Sequence, residues 1–311
     1  MDSFSYGRAI GAGFRVIGRH PLAVVMWAAV YLVFLLLPAI AVLRSVLPDM
    51  VAAWQQAALH AGEHARPDPA AMMALRSRAY GLQPALWLLS VVVNTVVIGA
   101  IFRSVLEPEK GRFGYLRLGG QELWLGLTYL VLTVMTVIMV FILVFPVAIA
   151  AGVSAAMAQH GTGSPLMGLV VALVALGGFG VILWVLLRLS LALPMSFAQG
   201  RFLLYESWDL TRGQALKMFG VYLVLVLGLA VLELAFVLTV GTRLYQATQA
   251  DPNFWSHFAD RVGQFVVTAW PTIAGFAILI SVIGMAVRTV TVAPLAEIYR
   301  ELTARDAAGP A

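Results

Sequence analysis

The chain has 311 residues, of which 61% are hydrophobic and only 11% are charged, and its mean hydropathy is +0.91. This composition excludes an ordinary soluble domain and indicates that lipid surrounds much of the chain. The lack of cysteine excludes disulfides and thiol chemistry. The net charge of +5 does not indicate a nucleic-acid partner, because the arginines are spread over several membrane-flanking segments without an aromatic RNA-binding signature. Anionic phospholipids are the expected counter-charge.

The first 20 residues have the pattern of an amphipathic helix that lies in the membrane interface. Apolar side chains recur at helical spacing, while basic side chains take another face. The apolar stripe consists of Tyr6, Ile10, Phe14 and Ile17, and the basic residues are Arg8, Arg15 and Arg19. We therefore predict an interfacial helix at residues 1–20.

Six long apolar segments follow, each near the roughly 20 residues that a helix needs to cross the hydrocarbon. The sequence thus predicts an all-α, polytopic membrane protein that forms a single membrane domain over residues 1–311. Residues 44–81 are predicted to form its long external loop. The predicted transmembrane helices are 22–43, 82–102, 123–146, 166–187, 218–242 and 262–287.

The basic residues predict the orientation of this bundle. Most of the twenty Lys and Arg residues lie in segments 1–21, 103–122, 188–217 and 288–311, which share one side of a six-helix topology. Because basic residues are enriched on the cytoplasmic side, both termini are expected in the cytoplasm.

An arginine precedes a proline by five or six residues at three predicted cytoplasmic helix ends. We predict that these arginines anchor the chain to headgroups, because a guanidinium can reach the phosphates while its stem stays in lipid. The prolines are expected to end the helices. Either a threefold repeat of an interfacial segment and a transmembrane hairpin, or similar boundary chemistry at unrelated sites, explains the pattern. The pairs are Arg103–Pro108, Arg188–Pro194 and Arg288–Pro294.

A second amphipathic helix is predicted at residues 295–305, on the cytoplasmic surface. Its apolar positions follow helical spacing at Leu295, Ile298, Tyr299 and Leu302. This face is suited to docking on the bundle itself, or alternatively on a partner protein.

Two segments carry a family resemblance. Ser207-Trp208-Asp209-Leu210-Thr211-Arg212-Gly213, and the ending from Ala293-Pro294-Leu295 to Tyr299-Arg300, resemble the membrane domain associated with glycerophosphodiester phosphodiesterases and related six-helix bacterial proteins. The resemblance implies a membrane module of bacterial cytoplasmic membranes. It does not imply an esterase, because the chain has no room for the soluble catalytic domain.

A weak metal-binding candidate lies in the external loop. His60, Glu63 and His64 match the H-x-x-E-H pattern of inverted zinc peptidases. That pattern needs a continuous helix and a third ligand, whereas Gly62 interrupts the motif and Arg66-Pro67-Asp68-Pro69 stops the helix. We therefore predict no catalytic zinc and no other cofactor, with a solvated histidine pair as the preferred interpretation.

Polar residues inside the predicted spans provide the other candidate site. By their depth, four of them could share one layer of the bundle, in which a protonated carboxyl either locks the helices together or couples to a proton or ion. The third interpretation places the carboxyl at a lipid-facing or partner-binding position. These residues are Glu233, Asn94, Thr136 and Thr272.

The sequence contains no recognisable catalytic set. The preferred interpretation is a non-enzymatic integral membrane protein: a scaffold, a lipid-interacting protein or an accessory subunit, with a membrane-protein partner or a second copy as possible associates. The alternative is a small transporter or channel built around Glu233.

Overall fold

The computed structural model describes residues 4–42, 44–46, 83–159, 165–250 and 270–308, together with residues 73, 77 and 81. Within these residues the protein is all-helical, without a β-strand. Two 3-10 turns, Pro108–Lys110 and Arg112–Tyr115, separate α3 from α4. The helices are α1 (Tyr6–Arg19), α2 (Pro21–Tyr31, continued by a π-helical turn at Leu32–Leu36), α3 (Gln83–Leu106), α4 (Gly120–Gln159), α5 (Pro165–Leu189), α6 (Ala192–Gln199), α7 (Tyr205–Leu210), α8 (Ala215–Ala250) and α9 (Trp270–Ala308).

Six helical segments are long and apolar enough to cross a membrane, which confirms the prediction of an all-α multi-pass protein. Several run well past the predicted spans. Helix α4 has 40 residues and α9 has 39, so each is about 60 Å long at 1.5 Å per residue. A bilayer core is only roughly 30 Å thick, so these helices extend beyond it.

The prediction that Pro294 ends the last transmembrane helix is wrong. Helix α9 continues through Pro294 to Ala308, so residues 295–305 are part of the same helix. A proline inside a helix removes one backbone hydrogen bond, but tight packing of its neighbours offsets that cost. Ala293, Leu295 and Ala296 on either side of it are all buried. The predicted apolar face does dock on the bundle, since Ile298 is fully buried.

The buried core lies at one end of the molecule, which we call the packed end. It is formed by α1, the first half of α2, the second half of α3, the first turns of α4, helix α6, the start of α8 and the second half of α9. The most apolar stretches of α4 and α5, by contrast, contain no buried residue. Side-chain packing among the described residues therefore holds the helices together mainly at this end.

Helix α1 packs directly on the backbone of α9. A Cβ at position 13 would overlap Val290 Cα and would lie 2.8 Å from the Thr289 carbonyl oxygen, so only glycine fits this crossing. Ala9, Ala12 and Val16 complete the buried face. This face differs from the predicted apolar stripe of α1, which is left exposed at Tyr6 and Phe14 and half-buried at Ile10 and Ile17.

A strained turn joins α3 to α4 at the packed end. Phe113, Gly114 and Tyr115 all have a positive φ, a backbone conformation that residues other than glycine rarely adopt. The Trp27 indole donates a hydrogen bond of 2.6 Å to the Gly114 carbonyl, and the Arg103 guanidinium donates one of 2.6 Å to the Tyr115 carbonyl. These two donors from neighbouring helices keep the turn in its strained conformation.

The close crossing of α1 and α9 predicts the effect of enlarging residue 13. Gly13→Ala should lower the free energy of unfolding by about 1–3 kcal/mol, because the added methyl group forces the two backbones apart. Equilibrium unfolding of the purified protein in mixed detergent micelles measures this change. The matched control is Gly18→Ala on the same helix, where a Cβ meets nothing within 4 Å. Equal free energies of unfolding for the two variants would contradict the close contact between the backbones of α1 and α9.

Candidate functional site

The guanidinium of Arg103 lies inside the protein at the end of α3 and is only 2% exposed. It pairs with the Glu122 carboxylate of α4, binds the Tyr115 carbonyl and lies 5.3 Å from the centre of the Phe197 ring. A second carboxylate, that of Glu107, is 3.8 Å from Nε. The structure therefore corrects the prediction that Arg103 reaches lipid headgroups, because a buried carboxylate from the next helix draws its charge inward.

Two glutamates of α9 bind arginines of α1 in a similar way. Both carboxylates are nearly buried, and each lies on the side of α9 against which α1 packs. These contacts add ion pairs to the close packing of α1 on α9 at Gly13, and they fix the position of α1 along α9. The contacts are Glu297 with Arg15 (3.6 Å) and Arg300 (2.6 Å), and Glu301 with Arg8 (3.0 Å) and the Ser5 amide (2.7 Å).

Arg188, at the end of α5, has a different environment. It is only 9% exposed, and its guanidinium carbon lies 4.7 Å from the centre of the Trp208 ring and 5.7 Å from that of Trp184. The two indoles contact each other edge to face, with ring centres 5.0 Å apart. Within the described part of the chain, Arg188 forms no ion pair with a carboxylate, and its buried Nε has no hydrogen-bond partner. The cation is thus held by aromatic faces alone.

The segment after α6 holds this arrangement in place. The hydroxyl groups of Ser207 and Thr211 each lie 3.0 Å from the Arg188 carbonyl oxygen, which has no partner within its own helix. Helix α7 is thereby fixed against the end of α5, and Trp208 is positioned over the Arg188 guanidinium. The Ser207–Gly213 segment therefore caps α5 and completes the arginine environment.

A cleft of about 630 Å³ opens beside Arg188, between α5 and the start of α8. Among the described residues that line it, Arg188 and Arg212 are the two charged ones and none is acidic. The rest of its wall is apolar or aromatic. The cleft therefore combines a cationic end with an apolar wall, which suits an amphiphilic anion. The apolar and aromatic lining includes Leu183, Trp184, Leu187, Leu216 and Phe219.

The third predicted anchor, Arg288, lies on α9 and is half-buried. Its Nε is buried without a hydrogen-bond partner among the described residues. The three arginines of the repeated motif therefore differ: Arg103 is paired with a carboxylate, Arg188 lies over two indole rings, and Arg288 is half-buried.

The structure does not assemble the predicted polar layer. Glu233 and Thr272 are exposed, and the Thr136 hydroxyl donates to the Leu132 carbonyl of its own helix at 2.7 Å. Asn94 is half-buried, and its Oδ1 has no hydrogen-bond partner within the described ranges. No hydrogen bond joins any two of these four described side chains, so they do not form a shared hydrogen-bonded layer.

The weak metal candidates His60 and His64 lie outside the described residues. In the part of the chain that the structure does describe, no group of three or more His, Cys, Asp or Glu side chains is placed to hold a metal ion.

Comparison of the chain with protein-family models, with curated proteins and with solved structures gives no match. The resemblance to the phosphodiesterase-associated membrane domain therefore stays a prediction. The most distinctive feature of the candidate site is the cleft beside Arg188, with its arginines and its apolar wall.

The buried Arg103–Glu122 pair predicts the effect of removing its carboxylate. Glu122→Leu leaves a buried guanidinium without its main counter-charge and should lower the free energy of unfolding by about 3 kcal/mol or more. The double variant Arg103→Met, Glu122→Leu should be more stable than Glu122→Leu alone, because it leaves no buried charge. Equilibrium unfolding in detergent micelles measures the stability of both variants. The control is Glu206→Leu, which removes an exposed carboxylate. A Glu122→Leu protein as stable as the control would refute the pairing.

Proposed function

We propose that this chain is a non-enzymatic integral protein of a bacterial cytoplasmic membrane, with both termini in the cytoplasm. It acts through anionic phospholipids and as a scaffold or accessory subunit for another membrane protein. The supporting observation is the contrast between its two parts: a packed end rich in ordered arginines, and long spanning surfaces that face outward.

The outward surfaces support a role in contacts within the bilayer. The most hydrophobic stretches of α4 and α5 bury no residue, and that of α8 buries only 6% of its residues. Large apolar surface of this kind is covered by lipid or by another protein when the chain lies in its membrane. The uncovered surface of α4, α5 and α8 favours a protein whose partners lie in the membrane plane.

The packed end supports a cytoplasmic, lipid-contacting orientation. Its charged groups join helices to one another, and several arginines remain exposed there, including Arg8, Arg19, Arg201 and Arg212. Basic side chains at the cytoplasmic face attract anionic headgroups. The exposed Tyr6 and Phe14 of α1 add an apolar edge that suits insertion into the interface.

This function predicts which molecules leave the membrane together with the protein. The full chain, extracted in a mild non-ionic detergent, should retain anionic phospholipid above its share of the starting membrane, as measured by native mass spectrometry and lipid extraction. A membrane protein bound in fixed stoichiometry would identify the partner in the same preparation. The control is the lipid composition of the membranes before extraction. A monodisperse monomer that retains neither enriched lipid nor a partner would refute the proposal.

A further inference from the structure

We propose that the cleft between α5 and α8 is a binding site for one anionic phospholipid. The headgroup phosphate binds Arg188 and Arg212, and an acyl chain lies along the apolar wall toward Gly180. This inference rests on the proposed function and gives it a specific site and a specific ligand class.

The charge of Arg188 is buried without a counter-charge among the described residues. Its side chain is 9% exposed, yet no carboxylate of the described chain pairs with it and its Nε has no acceptor. Burying a cation without a counter-charge is costly, whereas Arg103 at the equivalent position of α3 has Glu122. A phosphate supplies the missing negative charge and the missing hydrogen-bond acceptors.

Two arginines share this cleft. Arg212 lies in the turn that leads into α8 and lines the cleft together with Arg188, and no acidic residue is among the described residues of the lining. Guanidinium groups bind phosphate oxygens with paired, charge-assisted hydrogen bonds. Because the Trp184 and Trp208 rings already hold the Arg188 guanidinium in place, little side-chain freedom is lost when an anion binds.

The shape and lining of the cleft suit a phosphate that carries an acyl chain. Gly180 lies eight residues before Arg188 on α5, which is about 12 Å along the helix. A Cβ at Gly180 would meet nothing within 4 Å, so the far end of the cleft is open. Leu183 and Phe219 provide an apolar wall between the two ends. A volume of about 630 Å³ accommodates a phosphate and the adjoining part of an acyl chain.

The cleft is accessible from the bilayer. Helix α5 contributes one wall, and its most apolar stretch contains no buried residue. A lipid can therefore enter the cleft sideways from the bilayer, with its headgroup at the packed end where the other arginines lie. A free phosphate ion satisfies the two arginines equally well but makes no use of the apolar wall, and this difference separates the two ligands experimentally.

The first experiment measures lipid binding to the full chain in detergent by native mass spectrometry, with phosphatidylglycerol or phosphatidylcholine added. The wild-type protein should bind one phosphatidylglycerol in preference to phosphatidylcholine. Arg188→Gln and Arg212→Gln should each weaken this binding, by roughly tenfold for the buried Arg188, since a hydrogen bond to a charged group is lost. The control is Arg243→Gln, which removes the same charge from an exposed arginine near the other end of α8, away from the packed end.

The second experiment separates a lipid from a free phosphate. Gly180→Leu fills the apolar end of the cleft and leaves both arginines in place, so it should abolish the selective binding of phosphatidylglycerol. The control is Gly168→Leu, at another open position of the same helix outside the cleft. Inorganic phosphate in millimolar excess should not displace the lipid from the wild-type protein.

Each outcome bears on the inference. Binding that is unchanged in Arg188→Gln and Arg212→Gln would refute it, even if the protein still retained anionic lipid elsewhere as the proposed function requires. Unchanged binding in Gly180→Leu, together with displacement by inorganic phosphate, would assign the site to a free anion instead. If Arg188→Gln does not fold, the exposed Arg212→Gln and the open-position Gly180→Leu decide the question.

Discussion

The contact between α1 and α9 is the constraint on which the rest of the structure depends. Gly13 allows the two helix backbones to touch at Val290, and the neighbouring Glu297 and Glu301 pair with arginines of α1. Because α9 also contacts α2, α3, α6 and α8, fixing α1 against it closes the core around a single helix. The first and last described helices of the chain thus stabilise the same end of the molecule, and the other spanning helices extend from it.

The packed end also shows how one local motif acquires different roles. Arg103 and Arg188 both end an apolar helix shortly before a proline, yet only Arg103 is met by a carboxylate. Where Glu122 is available, the arginine becomes part of the core and holds a strained turn. Where two indoles replace the carboxylate, the arginine has no ion-pair partner among the described residues and lies beside an open cleft. The difference in partners, and not the motif itself, separates a structural arginine from a candidate lipid-binding one.

The sequence predicted what depends on composition along the chain, and missed what depends on distant contacts. Hydropathy was sufficient for six spanning helices, because each has to match the bilayer by itself. The continuation of α9 through Pro294 depends on packing by other elements, which local proline rules do not include. The burial of Arg103 depends on Glu122, 19 residues away on another helix. The spacing of Trp184 and Arg188, one helical turn apart, was a local signal that could have indicated the stacked arginine.

The four residues of the predicted polar layer do not bond to one another, for a related reason. Depth along a helix was inferred by counting residues, but the direction in which a side chain points depends on how each helix is rotated in the bundle. Glu233 and Thr272 point away from the described neighbours, while Asn94 is half-buried. Equal depth therefore did not produce a shared site. The cleft beside Arg188 was equally hidden from sequence, because its two walls come from helices whose relative placement only the fold defines.

The docking of α1 on α9 is tested most directly by cross-linking. The chain contains no cysteine, so Arg8→Cys combined with Glu301→Cys places two unique thiols where the native side chains meet at 3.0 Å. A short bis-maleimide applied in membranes should join residues 8 and 301 within one chain, as identified by peptide mass spectrometry. The comparison is Arg8→Cys with Arg243→Cys, since position 243 lies about 35 Å along α8 from Gly220, which contacts Tyr6 of α1. Efficient linking of 8 to 301 and none to 243 is the predicted result; no link to 301, or equal linking to both positions, would contradict the account.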